Sequence, residues 1–170
     1  MIDEKFKKAM RSRTGCAVIV AGSDSDEAHI EKIIVSLQRY EIPYEVRICS
    51  AHKQPEELMN IVEEYNAVGG SLSYIAIAGG TDTLSGILSY HALGPVISCP
   101  PDSPNQSCLT NPPGSSNAYI ARPENAGKFI AQIYAGVNPR FKKLIEHNKA
   151  KRIEFLRKAD SRLRKKFTHR

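Results

Sequence analysis

The sequence predicts an α/β domain in which a parallel sheet carries helices on both faces. Three observations point there. Short apolar runs without alternation, of which Cys16-Ala17-Val18-Ile19-Val20-Ala21 is the clearest, read as strands buried on both faces. These runs alternate with segments whose apolar residues recur at helical spacing. Three of the runs end in polar turns rich in Gly or Ser, and ligands of open parallel sheets sit at the carboxyl ends of strands.

The elements follow in order. Met1 to Gly15 is charged, lacks the apolar centre of a secretory signal and reads as a short arm or loose first turn. After the first strand, Gly22-Ser23-Asp24-Ser25-Asp26 makes a sharp turn with Ser25 or Asp24 as N-cap. Ala28, Ile30, Ile33, Ile34 and Leu37 then mark a helix, which Glu41-Ile42-Pro43 breaks. Tyr44 to Cys49 is the second strand, and Ser50-Ala51-His52-Lys53-Gln54-Pro55 follows it. Pro55 suits the first turn of a helix through Tyr65, where a missing N–H is harmless. Ser73 to Ala78 is the third strand, followed by Gly79-Gly80-Thr81-Asp82-Thr83 and a short helix from Leu84 to His91. Pro95 to Cys99 is a fourth strand. Residues 100–117, rich in Pro, Ser and Asn, form a loop of the length that is usually functional or mobile. Asn117 to Ala121 is a fifth strand, and Pro123 opens a helix to Ala135. Beyond Pro139, Phe141, Leu144, Ile145, Ile153, Leu156, Leu163 and Phe167 place a narrow apolar stripe on a long charged helix. Such a stripe needs a surface to pack on, and a neighbouring subunit is the favoured one. The organisation is therefore an arm over residues 1–15, one α/β domain over 16–136, and a basic amphipathic helix over 137–170.

Composition narrows the class. The 170 residues are 41% hydrophobic and 25% charged, as in a soluble globular chain. No apolar run approaches the roughly 18 residues of a membrane span. Cys16, Cys49, Cys99 and Cys108 have no CxxC or metal-ligand spacing, so buried free thiols and a reducing cytoplasm are expected. Residues 140–170 hold 13 Lys/Arg against 3 Asp/Glu, a net of +10. A basic tail can bind nucleic acid, but this one lacks interleaved Trp or Tyr, and a solvated helix face is the better reading.

The three turns at the sheet's carboxyl edge gather Ser23, Ser25, Asp26, Ser50, His52, Lys53, Gly79, Gly80, Thr81, Asp82 and Thr83. Hydroxyls and turn amides suit a phosphate, Lys53 adds charge, and Asp26 can accept from ribose hydroxyls. His52 is the one imidazole in these turns and the natural proton acceptor near neutrality. Each residue also has a plain structural use. His52 can bridge loops, Lys53 can be a surface lysine, and Gly79-Gly80 can be only a turn. His29, His91, His147 and His169 fall in helices or the tail and read as structural or solvated. No Gly-x-Ser-x-Gly elbow, P-loop or Gly-x-Gly-x-x-Gly fingerprint follows a strand.

Gly22-Ser23-Asp24-Ser25-Asp26 and Ser50-Ala51-His52-Lys53 together resemble the motifs of the aminoimidazole ribonucleotide (AIR) carboxylase and N5-carboxyaminoimidazole ribonucleotide mutase family of purine biosynthesis. The resemblance runs from Cys16 to Ala135, and Cys99-Pro100-Pro101 and Pro113-Gly114 look like the family's later loops. It implies a three-layer α/β/α fold similar to flavodoxin and a homo-octamer with the C-terminal helix against neighbours. It implies His52 as the catalytic base and Gly22, Ser23, Ser25, Asp26, Ser50, Ala51, Lys53, Gly79, Gly80, Thr81 and Leu84 as substrate-binding residues. AIR and carbon dioxide are the implied substrates, with no metal and no organic cofactor. The mutase branch has Arg after the first His and a second His at the position of Thr83. Lys53 and the missing second His resemble the carboxylase branch. That branch usually has Arg-Ser-Asn where this chain has Gly80-Thr81-Asp82, and its loop after Cys-Pro-Pro is longer. The carboxylase is the leading expectation. A mutase and a degenerate nucleotide-binding relative are the alternatives.

Overall fold

The computed structural model describes residues 2–102 and 104–168. Five strands form one sheet, all parallel, in the order β2-β1-β3-β4-β5: β1 Cys16–Ala21, β2 Tyr44–Ile48, β3 Leu72–Ile77, β4 Val96–Ser98 and β5 Asn117–Tyr119. Among the described residues six α-helices accompany them: α1 Glu4–Arg11, α2 Glu27–Arg39, α3 Pro55–Val68, α4 Leu84–His91, α5 Ala126–Tyr134 and α6 Pro139–Phe167. The unbroken apolar runs have the environment their pattern predicts. Every residue of β1 and β3 is buried. Along β1, Val18 and Val20 face one core, while Ala17, Ile19 and Ala21 face the other. That is the two-residue alternation of a strand covered on both sides. One core joins the sheet to α1, α3 and α4 through residues such as Met10, Leu58, Ile61 and Leu88. The second joins it to α2 and α5 and takes Phe141 from the start of α6. This is a three-layer flavodoxin-like arrangement, with a long terminal helix leaving it.

The amino-terminal stretch departs from the expected loose arm. Asp3 caps α1, its carboxylate accepting from the amides of Lys5 (2.9 Å) and Phe6 (3.2 Å). Ile2, Phe6 and Met10, four residues apart, bury themselves against the core. Phe6 meets Tyr65 of α3 edge to face, with ring centroids 6.3 Å apart. The charged residues between these three hide a period that is helical.

The other differences are at element ends. β2, β3, β4 and β5 each stop before their expected last residue, because the chain leaves the ladder to build turns. The segment expected as one helix from Pro123 begins as a 3₁₀ turn, Pro123–Asn125, ahead of α5. Neither Ser25 nor Asp24 caps α2. Instead the Ser23 hydroxyl accepts from the Ser25 amide (3.2 Å) and caps a 3₁₀ turn, Asp24–Asp26, that feeds α2. Helices α2 and α5 approach so closely that a Cβ on Gly127 would lie 2.2 Å from the Ser36 carbonyl oxygen. The Ser36 hydroxyl also accepts from the Gly127 amide and donates to the Glu124 carbonyl, each at 2.8 Å.

Candidate active site

In the order 2-1-3-4-5, consecutive connections leave the sheet on opposite sides at β1 and β3, which opens a crevice at their carboxyl ends. The three turns converge there. Two backbone bonds lock them to the sheet edge: the Gly22 amide donates to the Ile77 carbonyl (2.9 Å) and the Cys49 amide to the Ala21 carbonyl (2.8 Å). A cleft of about 260 Å³ results, lined by Gly22, Ser23, Ser25, Asp26, Ser50, Ala51, His52, Ala78, Gly79, Thr81, Thr83 and Leu84. Larger depressions of about 810 and 990 Å³ run along α6, but they are open grooves dominated by Lys and Arg, with no cluster of groups suited to proton transfer.

Ten of the twelve residues expected at the site line this cleft. Lys53 and Gly80 are the exceptions. Lys53 borders an adjoining surface depression with Gln54, Glu56 and Glu57, because the turn after His52 is already curling into α3. The amides of Lys53 and Gln54 both donate to the Ser50 carbonyl, at 3.2 and 2.8 Å. Gly80 takes the left-handed conformation (φ 66°), and its amide donates to the Asp102 carboxylate (2.8 Å). Glycine adopts that backbone without the steric penalty of a side chain.

The Gly80 turn is fastened to the loop after β4. Asn105 donates from Nδ2 to the Gly80 carbonyl (2.8 Å) and to the Asp102 carboxylate (2.9 Å), and the Ser107 hydroxyl donates to the Gly80 carbonyl (3.2 Å). The Asn105 amide and the Gly80 N–H hold the Asp102 carboxyl below its ordinary range. Asp82 does not point a free carboxylate at the ligand. It is 5% exposed and caps α4, accepting from the Ser85 amide and the Ser98 hydroxyl, each at 2.8 Å.

The chemistry gathers on one side of the cleft. The Ser25 hydroxyl donates to that of Ser23 (2.9 Å), which donates in turn to the Asp24 carboxylate (3.3 Å), so an incoming oxyanion would take these protons over from the Ser23 and Asp24 oxygens. Burial, reinforced by the carboxylates of Asp102 and Asp24, pushes the Asp26 carboxyl above its ordinary range, while His29 opposes the shift. His29 itself is structural: its Nε2–H donates to the Cys99 carbonyl (3.0 Å), and burial lowers its proton affinity. His52 is exposed at the cleft, with Nε2 2.8 Å from the Thr83 hydroxyl oxygen. Thr83 and Ala78 were missing from the expected binding set. The position of Thr83, opposite the first His turn, was the available signal. Among the described residues no three His, Cys, Asp or Glu side chains gather in a metal-holding group. His169 lies outside the described residues.

A parallel sheet of this order, with a hydroxyl-lined cleft and one exposed imidazole at its carboxyl edge, defines a flavodoxin-like α/β protein with a candidate site at the switch point. A sequence profile described as AIR carboxylase matches residues 16–154, and the chain belongs to that family. A phosphoribosylaminoimidazole carboxylase of Treponema denticola is 38% identical over 124 residues, which are 69% of this chain and 78% of that protein. The crystal structure of Treponema denticola PurE superposes with a TM-score of 0.82 at 32% identity, covering 88% of this chain and 98% of that one. A human bifunctional phosphoribosylaminoimidazole carboxylase/phosphoribosylaminoimidazole succinocarboxamide synthetase is 36% identical over 140 residues. The match spans 78% of this chain but a third of the human protein's length.

Proposed function

We infer that the protein carboxylates AIR at C4 with carbon dioxide to give 4-carboxy-AIR, a step of purine biosynthesis. The observation that carries this reading is the single imidazole, His52, set among the hydroxyls of Ser23, Ser25 and Ser50 in the cleft of an AIR carboxylase family member. The substrate phosphate lies against those hydroxyls and the turn amides, and the ribose lies against Asp26. Lys53 adds positive charge from beside the cleft.

The electron-rich C4 of the aminoimidazole attacks carbon dioxide. A C–C bond forms, and one C–O π pair moves onto oxygen, giving a carboxylate. C4 is now tetrahedral and still holds its proton. His52 takes that proton, and the C–H electron pair returns to the ring and restores aromaticity. The ring supplies the nucleophile, so the protein's part is orientation, water exclusion and one base. A hydroxyl stands at the position of the mutase branch's second His, which favours carbon dioxide over an N5-carboxylate as donor.

The test is formation of 4-carboxy-AIR from AIR and bicarbonate/carbon dioxide without ATP, run beside a reaction fed N5-carboxy-AIR. Product from AIR and carbon dioxide is expected, and product from N5-carboxy-AIR alone would make the protein a mutase. Tight AIR binding with no product from either would make it a non-catalytic relative. His52→Asn is expected to abolish turnover and retain nucleotide binding.

The active form is proposed to be a homo-octamer. Its support is α6: Phe141 is buried on the core, while Phe155, Leu156, Leu163 and Phe167 remain about half or more exposed. A sedimentation mass of a monomer at micromolar concentration would refute this. No helix among the described residues is long and apolar enough to cross a membrane, and all four cysteines are free and buried. A reducing cytoplasm suits such a chain. Nucleic acid is not a proposed partner of the basic helix.

A further inference from the structure

We propose that Thr83 is the positioning residue for His52, holding its Nε2 so that Nδ1 is the nitrogen that takes the C4 proton. The proposal rests on His52 being the base. His52 is exposed, on a turn, and free to sample rotamers unless something holds the ring. Its one hydrogen-bond partner among the described residues is the Thr83 hydroxyl, 2.8 Å from Nε2. A nitrogen already engaged by a hydroxyl cannot also meet a substrate carbon, so Nδ1 is left for the reaction.

Thr83 is free for this task because its neighbour has taken over another. Thr83 occupies the N-cap position of α4, where a Thr hydroxyl ordinarily accepts from an amide of the first turn. Here it makes no such bond. The Asp82 carboxylate caps the helix instead, accepting from the Ser85 amide at 2.8 Å. Asp82 is itself fixed from two further directions: its carboxylate accepts from the Ser98 hydroxyl of β4, and its amide donates to the Ser107 hydroxyl, both at 2.8 Å. Leu84, the next residue, is 1% exposed and anchors the turn in the core. The Thr83 hydroxyl is thus presented by a rigid mount.

A hydroxyl also has the right chemistry. It accepts from Nε2–H whether the ring is neutral or, after taking the proton at Nδ1, cationic. The contact survives the transfer, and the ring need not turn.

The experiment compares Thr83→Val, which keeps the shape and removes the hydroxyl, with Thr83→Ser, which keeps the hydroxyl. Turnover is followed from AIR and bicarbonate/carbon dioxide, and the His52 ring nitrogens are followed by ¹⁵N NMR. Thr83→Val should lower kcat about tenfold or more with KM within about twofold, the split expected when an interaction serves the transition state. Thr83→Ser should restore kcat to within about threefold of the parent. The parent should show the Nε2–H form of His52, and Thr83→Val should lose that preference. An unchanged kcat in Thr83→Val beside an inactive His52→Asn would overturn the role of Thr83 and leave His52 as base. A Thr83→Ser variant as slow as Thr83→Val, or an Nδ1–H parent ring, would also overturn it. Normal turnover in His52→Asn would overturn both readings.

Discussion

Replacing Asp82 by Ala should destabilise the fold measurably, although the residue sits at the rim of a ligand cleft. Two losses add. The first is the cap of α4, where the Ser85 amide loses the acceptor 2.8 Å away. Such a loss costs about 1 kcal/mol. The second is the Ser98 hydroxyl, fully buried on β4, which loses its carboxylate partner. A buried polar group left unpaired costs roughly 1–3 kcal/mol. One gain opposes them, because the variant no longer buries a charge. With two donors on that carboxylate the losses, roughly 2–4 kcal/mol together, should dominate, leaving about 2 kcal/mol. For a chain of 170 residues that corresponds to a fall in Tm of roughly 4–8 °C. Thermal melts at matched protomer concentration measure it, since association would raise the apparent stability of both proteins. Asp82→Asn separates the terms. It keeps an oxygen for the Ser85 amide and removes the charge, and Ser98 can turn its hydroxyl to accept. Its expected loss is below about 1 kcal/mol. An Asp82→Ala protein melting within about 1 °C of the parent would refute the reasoning. So would an Asp82→Asn protein more stable than the parent, which would mean that desolvation outweighs the hydrogen bonds.

Phe6→Ala should cost roughly 3–4 kcal/mol, as for other buried aromatics, and urea unfolding should show it; a loose arm would show no change. Asp26 binds its proton more tightly folded than unfolded, so its contribution to stability is highest below the ordinary carboxylate range and falls as pH rises through the window up to its raised value. Asp26→Asn should therefore raise Tm near neutrality, lose that advantage in acid, and raise KM for AIR; a variant less stable than the parent at neutral pH would contradict the burial argument. Asp102 has the opposite sign: its carboxyl is held low, so its bonds to Gly80 and Asn105 should weaken on acidification. Lys53→Ala should raise KM only about threefold at low salt, with the effect fading as salt screens a charge acting from outside the cleft. A larger loss that persists in high salt would mean direct contact with the phosphate.

The sheet was legible because its strands carry the pattern that burial on both faces demands. β1 and β3 are central: β1 carries no polar residue, and β3 carries one, Ser73, whose hydroxyl is paired with that of Tyr134. The edge was less legible. β5 has three half-buried residues, so its ends are decided by the neighbouring Ser98–Ile120 bond rather than by side-chain chemistry. The arm was misread for a related reason. Charged residues dominate residues 2–11, and the large apolar ones, Ile2, Phe6 and Met10, make sense only once α3 supplies Tyr65 and its neighbours as a surface.

At the site, the sequence order of turns was enough to bring Ser23, Ser25, Ser50 and His52 to one edge, because parallel strands put every strand-to-helix turn at the same end. Capping was not decidable that way. Thr81, Asp82 and Thr83 are all residue types that cap helices. Which of them does so depends on Ser98, sixteen residues further on, whose hydroxyl meets Asp82 across the sheet edge. Once Asp82 is held there, it caps α4, and the hydroxyl of Thr83 is left with His52. The same long-range bond that stabilises the fold thus selects which hydroxyl faces His52. Stability and catalysis should therefore fail together in Asp82→Ala, and catalysis alone should fail in Thr83→Val.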